Sequence, residues 1–223
     1  MTMAKLFKIL ACCAVLLFVT GCAAPKAGNT DYTAFKQSRP ASILVLPPLN
    51  ESPDVNATYA MLAQMTLPLA EAGYYVLPVA LVDETFKQNG LNSASDIHGV
   101  DREKLREIFG ADAVLYVTVT KYGSSYVVVD SVTEVAAKAT LVDLRSGETL
   151  WAGAGRASSS EQSSGSSGGG WVGILVSAAI KQMTNHLSDA SYGYAGITSV
   201  RMLSAGAPGR ILYGPHSPRY GTD

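Results

Sequence analysis

The side chain best placed to do chemistry in this chain is the thiol of Cys22, which closes the tetrapeptide Val19-Thr20-Gly21-Cys22. A bulky apolar residue, a small one, then Gly or Ala before cysteine is the lipobox pattern. There a diacylglycerol is transferred to the thiol and the bond after Gly21 is cut; Val19 stands where leucine is commoner. The preceding segment has the matching form. Lys5 and Lys8 make a positive start, and Ile9–Val19 is a charge-free apolar run with the length of a signal h-region rather than of a membrane span. Residues 1–21 are therefore expected to be removed. Cys12 and Cys13 leave with them, so Cys22 becomes the only mature cysteine, which excludes an intramolecular disulfide and a thiolate metal site. An acylated Cys22 would hold the chain in a bilayer, because each buried methylene contributes about 0.8 kcal/mol.

Other reactive constellations are thin. Gly165-Ser166-Ser167-Gly168-Gly169 has the spacing of a nucleophile elbow, but it lies in a Ser/Gly run that produces such spacing by composition, and Asp189 follows His186 where the hydrolase order needs it before. The run also lacks the Gly-Lys-Ser/Thr ending of a phosphate loop. His98, His186 and His216 show no ligand spacing, so no metal is expected. Asp83, Glu84, Asp101 and Glu103 stand near predicted helix starts, where carboxylates offset the helix dipole. The expectation is a chain with no catalytic residue and no cofactor. Removing Lys5 and Lys8 from 17 basic residues leaves 15 against 18 acidic ones, a formal charge of −3, so no basic field gathers nucleic acid. Ala23 rather than aspartate after the lipidated cysteine implies delivery to the outer membrane; a periplasmic face is expected, with exposure at the cell surface as the alternative.

The elements that carry these residues read as one α/β domain. Residues 22–40 have no apolar period and are expected to be a tether, with the domain beginning near Ala41. Ser42–Leu46, ended by Pro47-Pro48, predicts a buried strand. Tyr59, Leu62, Ala63, Met65, Thr66 and Leu69 predict a helix over Asn56–Ala72, capped by Asp54 or Asn56, stopped at Gly73 and kinked or shortened by Pro68. Tyr74–Val79 predicts a strand, and Leu81–Gln88 and Asp101–Phe109 predict helices, the latter ended by Gly110. Ala113–Tyr122, a turn at Gly123-Ser124, Tyr126–Asp143, a turn at Arg145–Glu148 and Thr149–Gly155 predict three antiparallel strands, with Leu150 or Trp151 buried. Ser158–Gly170 is expected to be a flexible loop, and Trp171–Met183 a buried or interfacial helix too short to span a bilayer. Ile197–Leu203 reads as an edge strand or docked segment, and residues 206–223 as a mobile tail. The fold expected is α+β: a mixed sheet of about five strands with three to four helices.

Ile43-Leu44-Val45-Leu46-Pro47-Pro48 at the opening of the domain and Asp143-Leu144-Arg145-Ser146-Gly147-Glu148-Thr149-Leu150-Trp151 at the hairpin resemble a family of bacterial lipoproteins of unknown function that includes a neisserial lipoprotein antigen. The resemblance covers roughly Ala41 to Ala205. It implies a fold similar to the N-terminal domain of TolB, to CsgG and to LpoB, and an accessory, non-enzymatic envelope role beside a CsgG-like lipoprotein in export or surface assembly. The alternatives are a regulator of peptidoglycan synthases, a protein that binds an envelope polymer, and an envelope hydrolase. From the residues themselves, a long Ser/Gly loop beside an apolar helix points to an interface, with Trp171, Ile174 and Val176 as its contact residues for envelope proteins or a second copy of the chain, the alternative being a passive linker.

Overall fold

Apolar runs ended by Pro or Gly become the strands, and the spacing of their side chains decides which face each residue covers. The computed structural model of the protein describes residues 30–127, 130–162 and 190–223. Its elements are α1 (Thr33–Ser38), β1 (Ser42–Val45), β2 (Leu49–Asn50), α2 (Ala57–Glu71), β3 (Tyr75–Val76), α3 (Val79–Gln88), α4 (Ala94–His98), α5 (Arg102–Phe109), β4 (Ala113–Val127), β5 (Asp130–Asp143), β6 (Thr149–Ser158) and α6 (Ala190–Leu203). The sheet has six strands in the order β3-β1-β4-β5-β6, with β2 also paired to β4. β3, β1 and β4 run parallel, while β4, β5 and β6 are antiparallel. This is the mixed α+β architecture expected, with one strand more and, among the described residues, six α-helices against the three to four expected.

β1 is covered on both sides, so Ile43, Leu44 and Val45 are all fully buried and the strand reads as a continuous apolar run. Ile43 and Val45 join one core with Leu115, Val135, Leu141, Trp151, Met61, Met65 and Met202, roofed by α1, α2 and α6. Leu44 and Leu46 join another with Val82, Phe86, Leu105 and Val114, roofed by α3, α4 and α5. A bulge makes the hairpin motif unusual. Leu141 pairs with Trp151 and Val142 with Thr149, so Leu150 is the extra residue, and both Leu150 and Trp151 turn into the same core. β6 then carries glycine where neighbours come closest: a Cβ on Gly153 would lie 2.1 Å from the Trp151 ring, and one on Gly155 2.6 Å from the Thr198 carbonyl in α6.

Several expectations are corrected. The folded unit starts at Asp31, not Ala41, because Phe35 on α1 is buried in the larger core, so residues 33–38 are part of the fold rather than of a tether. Ile197–Leu203 is the second half of helix α6 rather than an edge strand. Residues 206–223 are docked rather than mobile: Ile211 and Leu212 are buried, and Gly214 and His216 donate to the carbonyls of Ala72 and Gly73 at 2.9 and 3.1 Å. Gly73, at φ +97, is what lets that segment close in, since a Cβ there would lie 2.4 Å from the Ser217 nitrogen. β4 passes straight through Gly123-Ser124, and its pairing with β5 continues to Val127↔Asp130. The start of the Ser/Gly run is ordered too. Ser158 is buried at the end of β6, and the Ser159 hydroxyl accepts from the Thr133 amide at 3.0 Å in a 3-10 turn over Ser159–Gln162. Helix α4, capped by the Ser93 hydroxyl, is an element beyond those the sequence pattern predicts.

Candidate functional site

The sites read from sequence, Gly21 and Cys22 for processing and Trp171, Ile174 and Val176 for contact, lie outside the described residues, as does most of the Ser/Gly run. What the described residues offer is built elsewhere, at a mouth between the two ends of the folded unit and along the outer side of α2.

The mouth forms because α1 and the C-terminal segment pack together. The Tyr32 hydroxyl donates to the Arg210 carbonyl at 2.5 Å, and Lys36 Nζ donates to the Asp223 carbonyl at 3.2 Å. Between them lies a cavity of about 370 Å³ lined by Phe35, Lys36, Arg39, Tyr74, Tyr213 and Tyr220 among others, within the size range of ligand pockets. Arg39 ends α1 in the left-handed conformation, φ 48, alone among the described non-glycine residues. Its Nε donates to the Lys36 carbonyl at 3.3 Å, which keeps the two cations on one rim. Burial, with Asp223 and Tyr220 nearby, pushes the Tyr74 hydroxyl above its ordinary range. It therefore stays protonated and donates to the Leu212 carbonyl at 2.6 Å, which ties the floor of the mouth to the tail.

The polar side chains most suited to chemistry are engaged in holding segments together. Asp143, buried in the hairpin turn, accepts from the Ser38 hydroxyl and from the amides of Arg145 and Ser146 at 2.6 and 2.8 Å. Burial raises its carboxyl, but these hydrogen bonds and the Arg145 guanidinium outweigh it and hold the group below the usual carboxylate range. Asp112 accepts from the amides of Ala41 and Ser42 at 3.0 and 3.1 Å, pinning the start of β1. His98 sits edge-on to Tyr116 with ring centroids 5.3 Å apart, and Nε2 donates to the Pro47 carbonyl at 2.9 Å. Burial lowers its proton affinity more than that bond raises it, which favours the neutral ring. Among the described residues no group of three or more His, Cys, Asp or Glu is placed to hold a metal ion, and no helix is long and apolar enough to cross a membrane.

α2 has a second use beyond its buried side. Val55, just before the helix, and Tyr59, Ala63 and Leu67 on it recur every four residues and are exposed, Leu67 at 62% and Val55 at 84%. Lys87 of α3 lies 5.1 Å from the Tyr59 ring centroid and pairs with Asp83 at 2.6 Å, giving the stripe a charged border. The spacing of Tyr59 and Ala63 is visible in sequence, but there it merges with the core pattern, because Leu62, Met65 and Leu69, which do face inward, interleave with it.

Comparison with known proteins gives consistent matches. The family described as "Putative lipoprotein GNA1162-like" matches residues 30–216. "Putative lipoprotein NMB1124/NMB1162" of Neisseria meningitidis serogroup B is 54% identical over 202 residues, which cover 91% of this chain and 93% of the relative. The crystal structure of lipoprotein GNA1162 from Neisseria meningitidis is 59% identical at a TM-score of 0.52, covering 66% of this chain and 99% of that one. The C-terminal domain of LpoB from Salmonella enterica is 24% identical at a TM-score of 0.38, covering 52% of this chain and 82% of that domain.

Proposed function

The chain belongs to the family described as "Putative lipoprotein GNA1162-like", and from that premise we propose that it is a non-enzymatic accessory protein of the cell envelope, anchored by acylated Cys22 in the outer membrane and facing the periplasm. Its partner is another envelope protein, of the CsgG-like lipoprotein kind, docked on the outer side of α2. The observation that carries this reading is the exposed apolar row Val55, Tyr59, Ala63 and Leu67. Large contiguous apolar exposure marks contact surfaces, and this row stands on a helix whose opposite side is fixed in the core. Support comes also from Asp143, Asp112 and His98, whose polar atoms bind neighbouring segments rather than a cavity.

The test is photo-crosslinking in intact cells from a reactive residue at position 67, with position 108 on α5 as an equally exposed control. The expected result is a discrete adduct with a second envelope protein from position 67 alone. An adduct of twice the chain's own mass would replace that partner by a second copy, and equal or absent adducts at both positions would overturn the α2 surface. Cys22→Ser tests the anchor separately: it should abolish labelling by a palmitate analogue and leave the folded protein washable from the membrane fraction by high salt.

A further inference from the structure

Ion pairs take up the cations of this protein over most of its described surface. Among the described residues six Lys and Arg side chains stand outside any ion pair with a side-chain carboxylate: Lys36, which donates to the Asp223 main-chain oxygen, Arg39, Lys104, Arg106, Arg210 and Arg219. Lys36 and Arg39 line the mouth between α1 and the C-terminal segment and Arg219 reaches the Tyr213 that also lines it, while Lys104 and Arg106 share α5 with Glu103 and Glu107. Of the nearby acids, Asp223 lines the mouth and accepts from the Tyr213 amide at 2.8 Å, and Asp31 accepts from the Thr33 amide at 2.9 Å; neither side chain forms an ion pair among the described residues. Tyrosines accompany the cations. Arg219 lies 5.7 Å from the Tyr213 ring centroid and donates to its hydroxyl, and Tyr220 is 46% exposed.

We propose that this mouth is a contact site for the anionic phospholipid surface of the membrane that carries the protein's anchor. The proposal rests on the reading of Cys22 as lipidated. Asp31 follows Cys22 by nine residues, so the peptide between them cannot extend beyond about 32 Å. α1 is the first element after that tether, and its Lys36 and Arg39 are thereby kept close to the headgroups. Arginine and lysine beside a negative bilayer gain free energy for each charge that reaches it. Tyrosine favours the same depth, with its ring among acyl ends and its hydroxyl in water. The strained backbone at Arg39 has a use in this setting, since it turns the chain so that two cations share one rim.

The experiment uses the mature chain carrying Cys22→Ser, mixed with vesicles of phosphatidylethanolamine containing about one third phosphatidylglycerol, or with phosphatidylcholine alone, and scored by co-flotation. Binding is expected on the anionic vesicles only. Each of Lys36→Gln, Arg39→Gln and Arg219→Gln should weaken it about fivefold, and the triple variant roughly a hundredfold, whereas the pair Lys104→Gln and Arg106→Gln should leave it unchanged. A parallel arm places a fluorophore at position 220 or 108 of the acylated protein in vesicles bearing a lipid quencher. Quenching at 220 but not at 108 is expected. Equal quenching at both sites, or flotation indifferent to the triple variant, would overturn the contact site while leaving the anchor intact. Failure of Cys22 to take a palmitate analogue, with the Cys22→Ser chain still floating on anionic vesicles, would overturn the anchor and not the contact site.

Discussion

The two faces of the sheet are roofed by different stretches of the chain. On the larger face, α1 from the beginning of the folded unit, α2 from its middle, and α6 with Ile211 and Leu212 from its end close over one core. On the smaller face, α3, α4 and α5 are consecutive in sequence and cover only Leu44, Leu46, Val114 and their neighbours. Beyond them, Lys138 on β5 and Ala152, Ala154 and Arg156 on β6 are left exposed. The contrast teaches that the larger face depends on contacts far apart in sequence, whereas the smaller is a local unit laid against a finished sheet. The larger face should therefore govern global stability, and the smaller should open by itself.

The largest effect expected is at Trp151. It is buried at the bulge and its Nε1 donates to the Gly209 carbonyl at 3.0 Å, so Trp151→Ala removes both core volume and a tie to the C-terminal segment. Urea denaturation should show a loss of about 3–5 kcal/mol, and a loss under roughly 1 kcal/mol would mean that the larger face is not held there. Phe86→Ala tests the smaller face. Phe86 is buried against Phe109 with centroids 5.2 Å apart, yet both line an open cavity of about 310 Å³. About 3 kcal/mol is expected, with amide exchange accelerated in α3–α5 and unchanged in β5 and β6. Equal acceleration across the sheet would erase the distinction between the faces.

Asp143→Asn is expected to be milder, about 1–3 kcal/mol, because the side chain keeps its acceptor oxygen but loses the charge that draws Ser38 and Arg145 together. The pH dependence has a definite sign. The folded state holds this carboxyl below its unfolded value, so its contribution is complete above about pH 4 and is lost as pH falls through the lower folded value. Acid titration of stability should show that limb in the unmodified protein and a flatter one in Asp143→Asn. The smallest effect belongs to Arg201→Ala, which removes an exposed pair with Glu161 at 2.8 Å and a bond to the Arg156 carbonyl at the sheet edge. It should change the midpoint of thermal unfolding by the equivalent of less than about 1 kcal/mol. A larger loss would make the β6 edge a support of the larger core.

Much of the scaffold is legible in the sequence because local signals and tertiary packing agree there. Ser42–Leu46 before two prolines, Asp101 to Gly110 around α5, and the Asp143–Gly147 turn all combine an apolar pattern with a chemical stop signal. The family is legible for the same reason, through the segments Ile43–Pro48 and Asp143–Trp151. The errors share a different cause. α1 is a single short run with one large apolar residue, Phe35, and residues 206–223 are rich in Gly, Pro and Tyr; the two are held by meeting each other and the Ala72-Gly73 turn. Such order is created by contacts across the whole length of the chain and leaves no periodic trace. Gly193 and Gly196 likewise break the helical pattern of α6, whose support is the close approach of β6 and α2. For the candidate surfaces, the sequence displays the tyrosines and cations but not that Lys36 and Arg219 belong to one mouth.

The pairing of the chain's two ends also determines how the protein bears load. A pull on the residues before Asp31 reaches α1 first, a six-residue helix held by Phe35, by the Tyr32–Arg210 bond and by Ser38 on Asp143. These bonds can break in succession, as in peeling, whereas β1 lies between β3 and β4 and must shear several ladder bonds at once. α1 is thus a mechanical fuse: tension would strip it and expose the Phe35 site while the sheet stayed whole. Release of the pull would let the same short helix snap back onto a surface that never lost its shape.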